Sequence, residues 1–194
     1  MLNIVIFGAP GSGKGTQSEL IIVKYGLDHI STGAVLRAAI EKGTELGKIA
    51  QNYINQGQLV PDDLIIQLID SLLDEKSDSK GVIFDGFPRT IPQAQALKEL
   101  LNKRGTDISI LIDLQVDEDE LINRLLERGK ISGRSDDNLE TIQARLNVYH
   151  TQTAPLADYY RNEGKHAAIK GVGTIPEIFE RIDEAIHQMP ISAN

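Results

Sequence analysis

Apolar residues along this chain fall into short unbroken runs and longer stripes of helical period. Ile4, Val5, Ile6 and Phe7 are consecutive, apolar and β-prone, so Asn3 to Phe7 reads as a buried strand. A glycine-rich loop follows, then a helix from about Lys14 to Lys24 that Tyr25-Gly26 stops. Leu27 to Ile30 is a candidate second strand. Ser31 to Val60 reads as two small helices punctuated by Gly33, Gly43, Gly47 and Gly57. Pro61-Asp62-Asp63 opens a helix through Leu64, Ile65, Leu68, Ile69 and Leu72. Val82-Ile83-Phe84 is a third strand, ending at Asp85-Gly86, and Pro92 to Arg104 is helical. Ile108 to Leu114 is a fourth strand, and Asp117 caps a helix to about Arg128. Gly129 to Gly133 reads as a short loop. Asn138 to about Tyr160 is a long helix with a kink or turn at Pro155. Ala167 to Lys170 is a fifth strand and Pro176 to Gln188 the last helix.

Strands separated by helices imply βαβ units: an α/β fold with a mostly parallel sheet covered on both faces. Ligands of such sheets sit at the carboxyl ends of strands, near the topological switch point. Three loops are therefore candidates, those after Phe7, Phe84 and Leu114. The 194 residues suit one domain able to bury roughly 70% of its unfolded surface. Acidic residues number 28 against 20 basic, a net charge of -8. That sign disfavours nucleic-acid and anionic-membrane partners, so an anionic ligand would need positive charge gathered locally. The chain has no Cys, which excludes disulfides and thiolate metal sites. Met1 to Phe7 lacks a basic leader and is too short to span a membrane; the expected location is the cytoplasm. His29, His150, His166 and His187 show no metal-ligand spacing and are given no role.

Residues 8–16 read G-A-P-G-S-G-K-G-T. Gly8, Gly13 and Lys14 fit the strand–GxxxxGK–helix pattern of a phosphate-binding loop. Glycines let backbone N–H groups turn toward one anion, the next helix adds its positive end, and Lys14 adds a mobile cation. Gly15 stands between Lys14 and Thr16, where the general pattern wants Ser or Thr directly after Lys.

Four further stretches narrow the reading. They are H-I-S-T-G-A-V-L-R (29–37), Q-G-Q-L-V (56–60), D-G-F-P-R-T-I-P-Q-A (85–94) and the arginines at 128, 134 and 145. Together with the G-A-P-G-S-G-K-G-T-Q start they closely resemble the adenylate kinases, of the short-lid type, and the Gly-Thr after Lys14 is that family's variant. The resemblance runs the length of the chain. It implies a P-loop NTPase type three-layer fold with a five-stranded parallel sheet. On that fold it implies a core (1–30, 61–127 and 138–194), a small helical NMP-binding segment (31–60) and a short lid (128–137). It implies the reaction ATP + AMP ⇌ 2 ADP with Mg2+, in a monomer. By the same resemblance Gly11, Ser12, Gly13, Lys14, Gly15 and Thr16 would hold ATP phosphates, with Arg128 above them and Gly173 near the adenine. Thr32, Arg37, Gln58, Leu59, Val60, Gly86, Phe87, Pro88, Arg89 and Gln93 would hold AMP. Arg134 and Arg145 would bridge to the AMP side, and Lys14, Arg89, Arg128, Arg134 and Arg145 would act on the transferred group. Mg2+ would lie near Thr16 and Asp85, mostly through water and phosphates.

Phosphoryl transfer explains the demand for cations, because the protein mostly positions and neutralises. Arginine's planar fork suits phosphate oxygens. Gln93 offers a donor and an acceptor that match the N1 and N6 edge of adenine. The alternative is a UMP/CMP kinase on the same fold. Those enzymes typically carry Asn where Thr90 stands and Ala where Thr32 stands. A nucleotide-binding scaffold without catalysis fits poorly with the complete arginine set. Asp137 and Glu140 resemble a capping box, and Asp136 and Asp137 could also pair with the lid arginines. Only five residues separate Arg128 from Arg134, too few for a folded lid, and without Cys no zinc lid can form. Gly129 and Gly133 are the expected hinges. Ala34 stands where many relatives have Asp, so any supporting contact of that carboxylate is missing.

Overall fold

A computed structural model describes residues 1–76 and 78–189; the last five residues of the expected core segment lie outside that range. The strands are β1 (Ile4–Phe7), β2 (Asp28–Ser31), β3 (Val82–Asp85), β4 (Ile110–Gln115) and β5 (His166–Lys170). All neighbours pair in parallel, in the order β2-β3-β1-β4-β5. Helices α1 (Lys14–Tyr25), α2 (Thr32–Glu41), α3 (Glu45–Asn55), α4 (Asp62–Asp74) and α5 (Ile91–Lys103) precede β4. Helices α6 (Glu118–Ser132), α7 (Leu139–Val148), α8 (Leu156–Asn162) and α9 (Ile175–His187) follow it. The expected α/β three-layer fold is what the chain adopts.

The apolar runs are central strands buried on both faces. Val5, Phe7, Phe84 and Leu111 pack against apolar residues of α4, α5 and α8. The alternating set Ile4, Ile6, Ile83 and Ile112 packs against Ile21 of α1 and Ile178, Ile182 and Ile186 of α9. Burial on both sides explains why the runs carry no polar alternation. The fully buried Asn3 ties strand starts together. Its amide donates to Thr106 Oγ1 and the Asp107 carbonyl, and its Oδ1 accepts from the Val82 N–H at 3.1 Å. A smaller cluster of Leu121, Leu125, Ile142 and Leu146 fixes α6 and α7 over Ala9 of the glycine-rich loop. Because β1 lies between β3 and β4, the chain reverses direction across the sheet at β1. The switch point therefore falls at the end of β1, beside Asp85.

Several local expectations change. The segment 129–132 is not a loop: α6 runs through it and ends at Gly133, whose φ of 63° is left-handed. Gly129 is needed for close packing, since a Cβ there would lie 2.7 Å from the Asp137 carbonyl oxygen. The long helix expected from Asn138 to Tyr160 is three pieces. A π-helical turn, Tyr149–Thr153, separates α7 from α8, and the Ala154 N–H reaches back to the Tyr149 carbonyl at 2.8 Å. Pro155 has no N–H to continue the regular ladder. Asp117 holds the N-cap position of α6 but makes no capping bond. Asp137 does not cap α7; Asn138 does, accepting from the Thr141 N–H at 3.0 Å. A capping box forms instead at Thr174 and Glu177, ahead of α9.

The α2–α3 pair rests on Gly47. A Cβ at this residue would come within 2.1 Å of the Ala39 carbonyl oxygen, a backbone atom that cannot step aside alone. Gly47→Ala is expected to force α2 and α3 apart and cost about 1–3 kcal/mol of stability in urea unfolding. Gly15→Ala, where a Cβ meets nothing within 4 Å, is the comparison and should cost less.

Candidate active site

The carboxyl ends of β1 and β3 open into a cavity of about 570 Å3. A smaller one of about 80 Å3 lies under α2 and α3. The turn 8–13 takes left-handed backbone at Gly11 and Gly13, with φ of 87° and 96°. It delivers the chain into α1 with no side chain capping that helix. By contrast Ser31, Thr44, Thr90, Asn138 and Thr174 cap α2, α3, α5, α7 and α9. The first N–H groups of α1 are thus left for an anion. Ser12 Oγ, buried in the same turn, also lacks a partner among the described residues. Lys14 Nζ rests on the Gly8 and Ala9 carbonyls at 2.8 and 2.9 Å.

Seven cations line the larger cavity: Lys14, Arg37, Arg89, Arg124, Arg128, Arg134 and Arg145. The acidic residues on the same wall are Glu19 and Asp85. Local positive charge has therefore been gathered within an acidic protein. Two aspartates hold part of the cluster, Asp137 from the interior and Asp136 from the wall of the smaller cavity. Asp137, whose side chain is fully buried, accepts both Nε and Nη2 of Arg128 at 2.6 and 2.7 Å and Nη1 of Arg145 at 3.0 Å. Asp136 takes Arg145 Nη1 at 3.0 Å. Burial pushes the Asp137 carboxyl up, but Arg128, Arg145 and Arg134 outweigh it and hold it below its usual range. Arg89 donates Nε to the Gly86 carbonyl at 2.8 Å. The Arg37 guanidinium lies over Gly33, where a Cβ would meet it at 3.0 Å. Among the described residues, neither the Arg37 nor the Arg134 guanidinium has a hydrogen-bond partner.

The cluster strains against itself. Loss of hydration and the neighbouring Arg145 push Arg89 below its ordinary value, with Arg37 adding to the effect. Lys14 is pushed down to about 7, first by desolvation and then by Arg89, Arg145 and Arg128, with Asp85 opposing. Burial pushes the Asp85 carboxyl up, but His29, Lys14 and Arg89 hold it low. Asp85 therefore stays anionic, and it lines the same cavity as Thr16. These hard oxygen donors suit Mg2+, which prefers oxygen and keeps several waters. Among the described residues no group of three His, Cys, Asp or Glu could by itself hold a metal ion.

Every residue assigned in the sequence to ATP, AMP or Mg2+ lines one of the two cavities. Gly11 to Thr16, Arg128 and Gly173 line the larger, and Thr32, Gln58, Val60 and Gln93 the smaller. Arg37, Leu59, Gly86, Arg89 and Arg145 line both. Several of these side chains are already engaged within the protein. Gln93 is not open to solvent: its Oε1 accepts from the Arg89 N–H and its Nε2 donates to Asp62, both at 2.7 Å. Thr32 spends its hydroxyl hydrogen on the Gly86 carbonyl at 2.9 Å. The loop after Leu114 does not line the cavity; the loop after β5, with Gly173 and Ile175, does. Arg124, which the sequence does not distinguish, pairs with Glu120 four residues earlier as an ordinary helical ion pair. Its guanidinium also reaches the Gly171 carbonyl, at 3.2 Å from Nη2. His29, given no role, lies 3.8 Å from Asp85.

The fold is that of a P-loop NTPase, with two adjoining cavities at the carboxyl ends of its strands. The sequence model of the adenylate kinase family matches residues 6–165. The chain is 72% identical over 189 residues to an adenylate kinase of Parabacteroides distasonis, covering 97% of this chain and 100% of that one. It is 64% identical over 186 residues to one of Bacteroides fragilis, covering 96% and 98%. A third, of Porphyromonas gingivalis, is 57% identical over 182 residues, covering 94% of each chain. The chain belongs to the adenylate kinase family.

Phosphate oxygens near Lys14 favour its charged form, so nucleotide binding should draw a proton onto it. At about pH 8 the free lysine is mostly neutral, and uptake on binding ATP should approach about one proton. Titration calorimetry in two buffers of different ionisation enthalpy reads this directly, and Lys14→Met should abolish it. In the free protein the same group makes stability rise with pH from about 7 towards lysine's ordinary value, because the unfolded chain binds the proton the folded one lacks.

Proposed function

We infer that the protein catalyses the reversible transfer of the γ-phosphoryl group of ATP to AMP, giving two ADP and so balancing the adenine nucleotides. The observation that carries this reading is that two cavities adjoin and share Arg37, Arg89 and Arg145. One cavity begins at a phosphate loop and the other is a small pocket, so two nucleotides would meet with their phosphates at the shared arginines. An AMP phosphate oxygen attacks the γ-phosphorus as the bond to the β–γ bridging oxygen breaks. The attacking group is already an anion, so no general base is required. The reaction needs charge neutralisation and alignment, which fixed guanidinium groups supply.

In this reading Gly11 to Thr16 hold the ATP phosphates and Gly173 lies near the adenine. Thr32, Arg37, Gln58 to Val60, Gly86 to Pro88 and Gln93 hold AMP. Lys14, Arg89, Arg128, Arg134 and Arg145 surround the transferred group. Thr16 and Asp85 would hold Mg2+ through water and phosphates, and the ion supplies further neutralisation of phosphate charge. Residues 31–60 form the AMP-binding segment and 128–137 the lid, with 1–30, 61–127 and 138–194 as the core. Lid closure would exclude water and prevent hydrolysis. The protein is read as a cytoplasmic monomer acting on ATP, AMP and ADP, without nucleic-acid or membrane partners; its acidic, cysteine-free composition supports this. No helix among the described residues is long and apolar enough to cross a membrane. The UMP/CMP alternative is disfavoured by Thr32, Thr90 and the relatives' names.

A coupled assay offering ATP with AMP, UMP, CMP and GMP separately tests the assignment. The kcat/KM for AMP should exceed that for UMP by at least about a hundredfold; comparable turnover would favour the pyrimidine enzyme. Lys14→Met should fold and lose about a hundredfold in kcat, since Lys14 meets charge that develops in transfer. A kcat within a few-fold of the unaltered protein would remove Lys14 from the mechanism.

A further inference from the structure

A polar network that phosphate chemistry does not use backs the wall of the smaller cavity, which it meets at Gln93 and Arg89. Asp62, the first residue of α4, turns its carboxylate onto the start of α5. Its Oδ1 accepts from Gln93 Nε2 at 2.7 Å and its Oδ2 from Thr90 Oγ1 at 3.1 Å. The same carboxamide accepts the Arg89 N–H on Oε1, and Gln93 is only 2% exposed. These two partners differ in kind. An ionised carboxylate only accepts and a backbone N–H only donates, so together they allow one orientation of the amide. A reversed amide would set oxygen against Asp62 and hydrogen against the Arg89 N–H, in a side chain that is itself buried. One N–H of Nε2 and one lone pair of Oε1 remain, in a residue that lines the cavity.

We propose that Asp62 is a positioning residue for base selection: it locks the Gln93 carboxamide in the orientation that accepts a 6-aminopurine and refuses a 6-oxopurine. The proposal rests on reading the smaller cavity as the AMP site. Adenine presents a donor at N6 and an acceptor at N1. Hypoxanthine has nearly the same shape but presents an acceptor at O6 and a donor at N1. A locked amide matches the first pair and opposes the second, whereas a free amide can turn over to suit either. Thr90 completes the lock by holding the second carboxylate oxygen.

The test compares AMP with IMP as acceptors for the unaltered protein, Asp62→Asn, Thr90→Val and Gln93→Ala. Asn at 62 has nearly the same size but can donate or accept, so only the Arg89 N–H is then left to oppose a reversed amide. In Asp62→Asn the AMP-to-IMP ratio of kcat/KM should narrow by at least about tenfold, through the KM for AMP more than kcat. The Kd for ATP should not change. Thr90→Val should narrow the ratio less, by about threefold, and decides the matter if Asp62→Asn does not fold. A ratio that stays fixed while the KM for both nucleotides rises would make Asp62 merely structural and overturn the proposal. An unaltered protein that does not prefer AMP, or a Gln93→Ala variant with an unchanged KM for AMP, would instead overturn the reading of the cavity itself.

Discussion

Concentrating like charge in a confined cleft is the constraint on which this molecule turns. A chain of net charge -8 gathers seven cations around one cavity, with Glu19 and Asp85 on the same wall. Such a cluster costs free energy when empty, and the shifts at Lys14, Arg37, Arg89 and Arg134 all point the same way. Asp136 and Asp137 offset part of that cost, and they fix Arg128 and Arg145 in place before any ligand arrives. Preorganised charge of this kind needs little rearrangement during the reaction, which is what makes it effective in catalysis.

The rest of the fold supplies the rigidity that the cluster requires. The β1–β3 pair places the phosphate turn and Asp85 side by side at the switch point, and two apolar layers clamp the sheet that carries them. Arg128 sits near the end of α6 and Arg145 on α7, and the packing of Leu121, Leu125, Ile142 and Leu146 sets the distance between those helices. Gly129 lets Asp137 approach α6 closely enough to grip Arg128. Gly57, with φ of 69°, brings the end of α3 against the Arg145 stem, where a Cβ would lie 3.0 Å from Cγ. Helix geometry, glycine placement and charge pairing thus converge on the same few ångströms.

The frame was legible because its signals are strong and local. Unbroken runs such as Ile4 to Phe7 can only be buried strands here, and glycines before Lys14 announce a phosphate turn. The arginines were legible only through the family pattern, since an arginine on a helix is usually an ordinary surface residue. Arg124 shows that limit: its i−4 partner Glu120 is visible in the sequence, but the Gly171 carbonyl, 47 residues away, is not. Boundaries failed where tertiary contact decided the outcome. Residues 129–132 carry a glycine and look like a loop, yet packing against Asp137 keeps them helical. Asp137 satisfied a capping pattern, but two arginines brought in by the fold compete for its carboxylate and win. The lock on Gln93 was invisible for the same reason, because Asp62 and Arg89 meet it only after α4 and α5 have docked.

The central claim is that the cavity is a receptor for phosphate charge first and for adenine second. Thermal unfolding of the protein at low salt, with inorganic tripolyphosphate or with adenosine, separates the two contributions. Tripolyphosphate should raise the melting temperature clearly, because it relieves the repulsion among Lys14 and the arginines, and adenosine at equal concentration should raise it much less. A protein stabilised by adenosine but indifferent to tripolyphosphate would contradict the account.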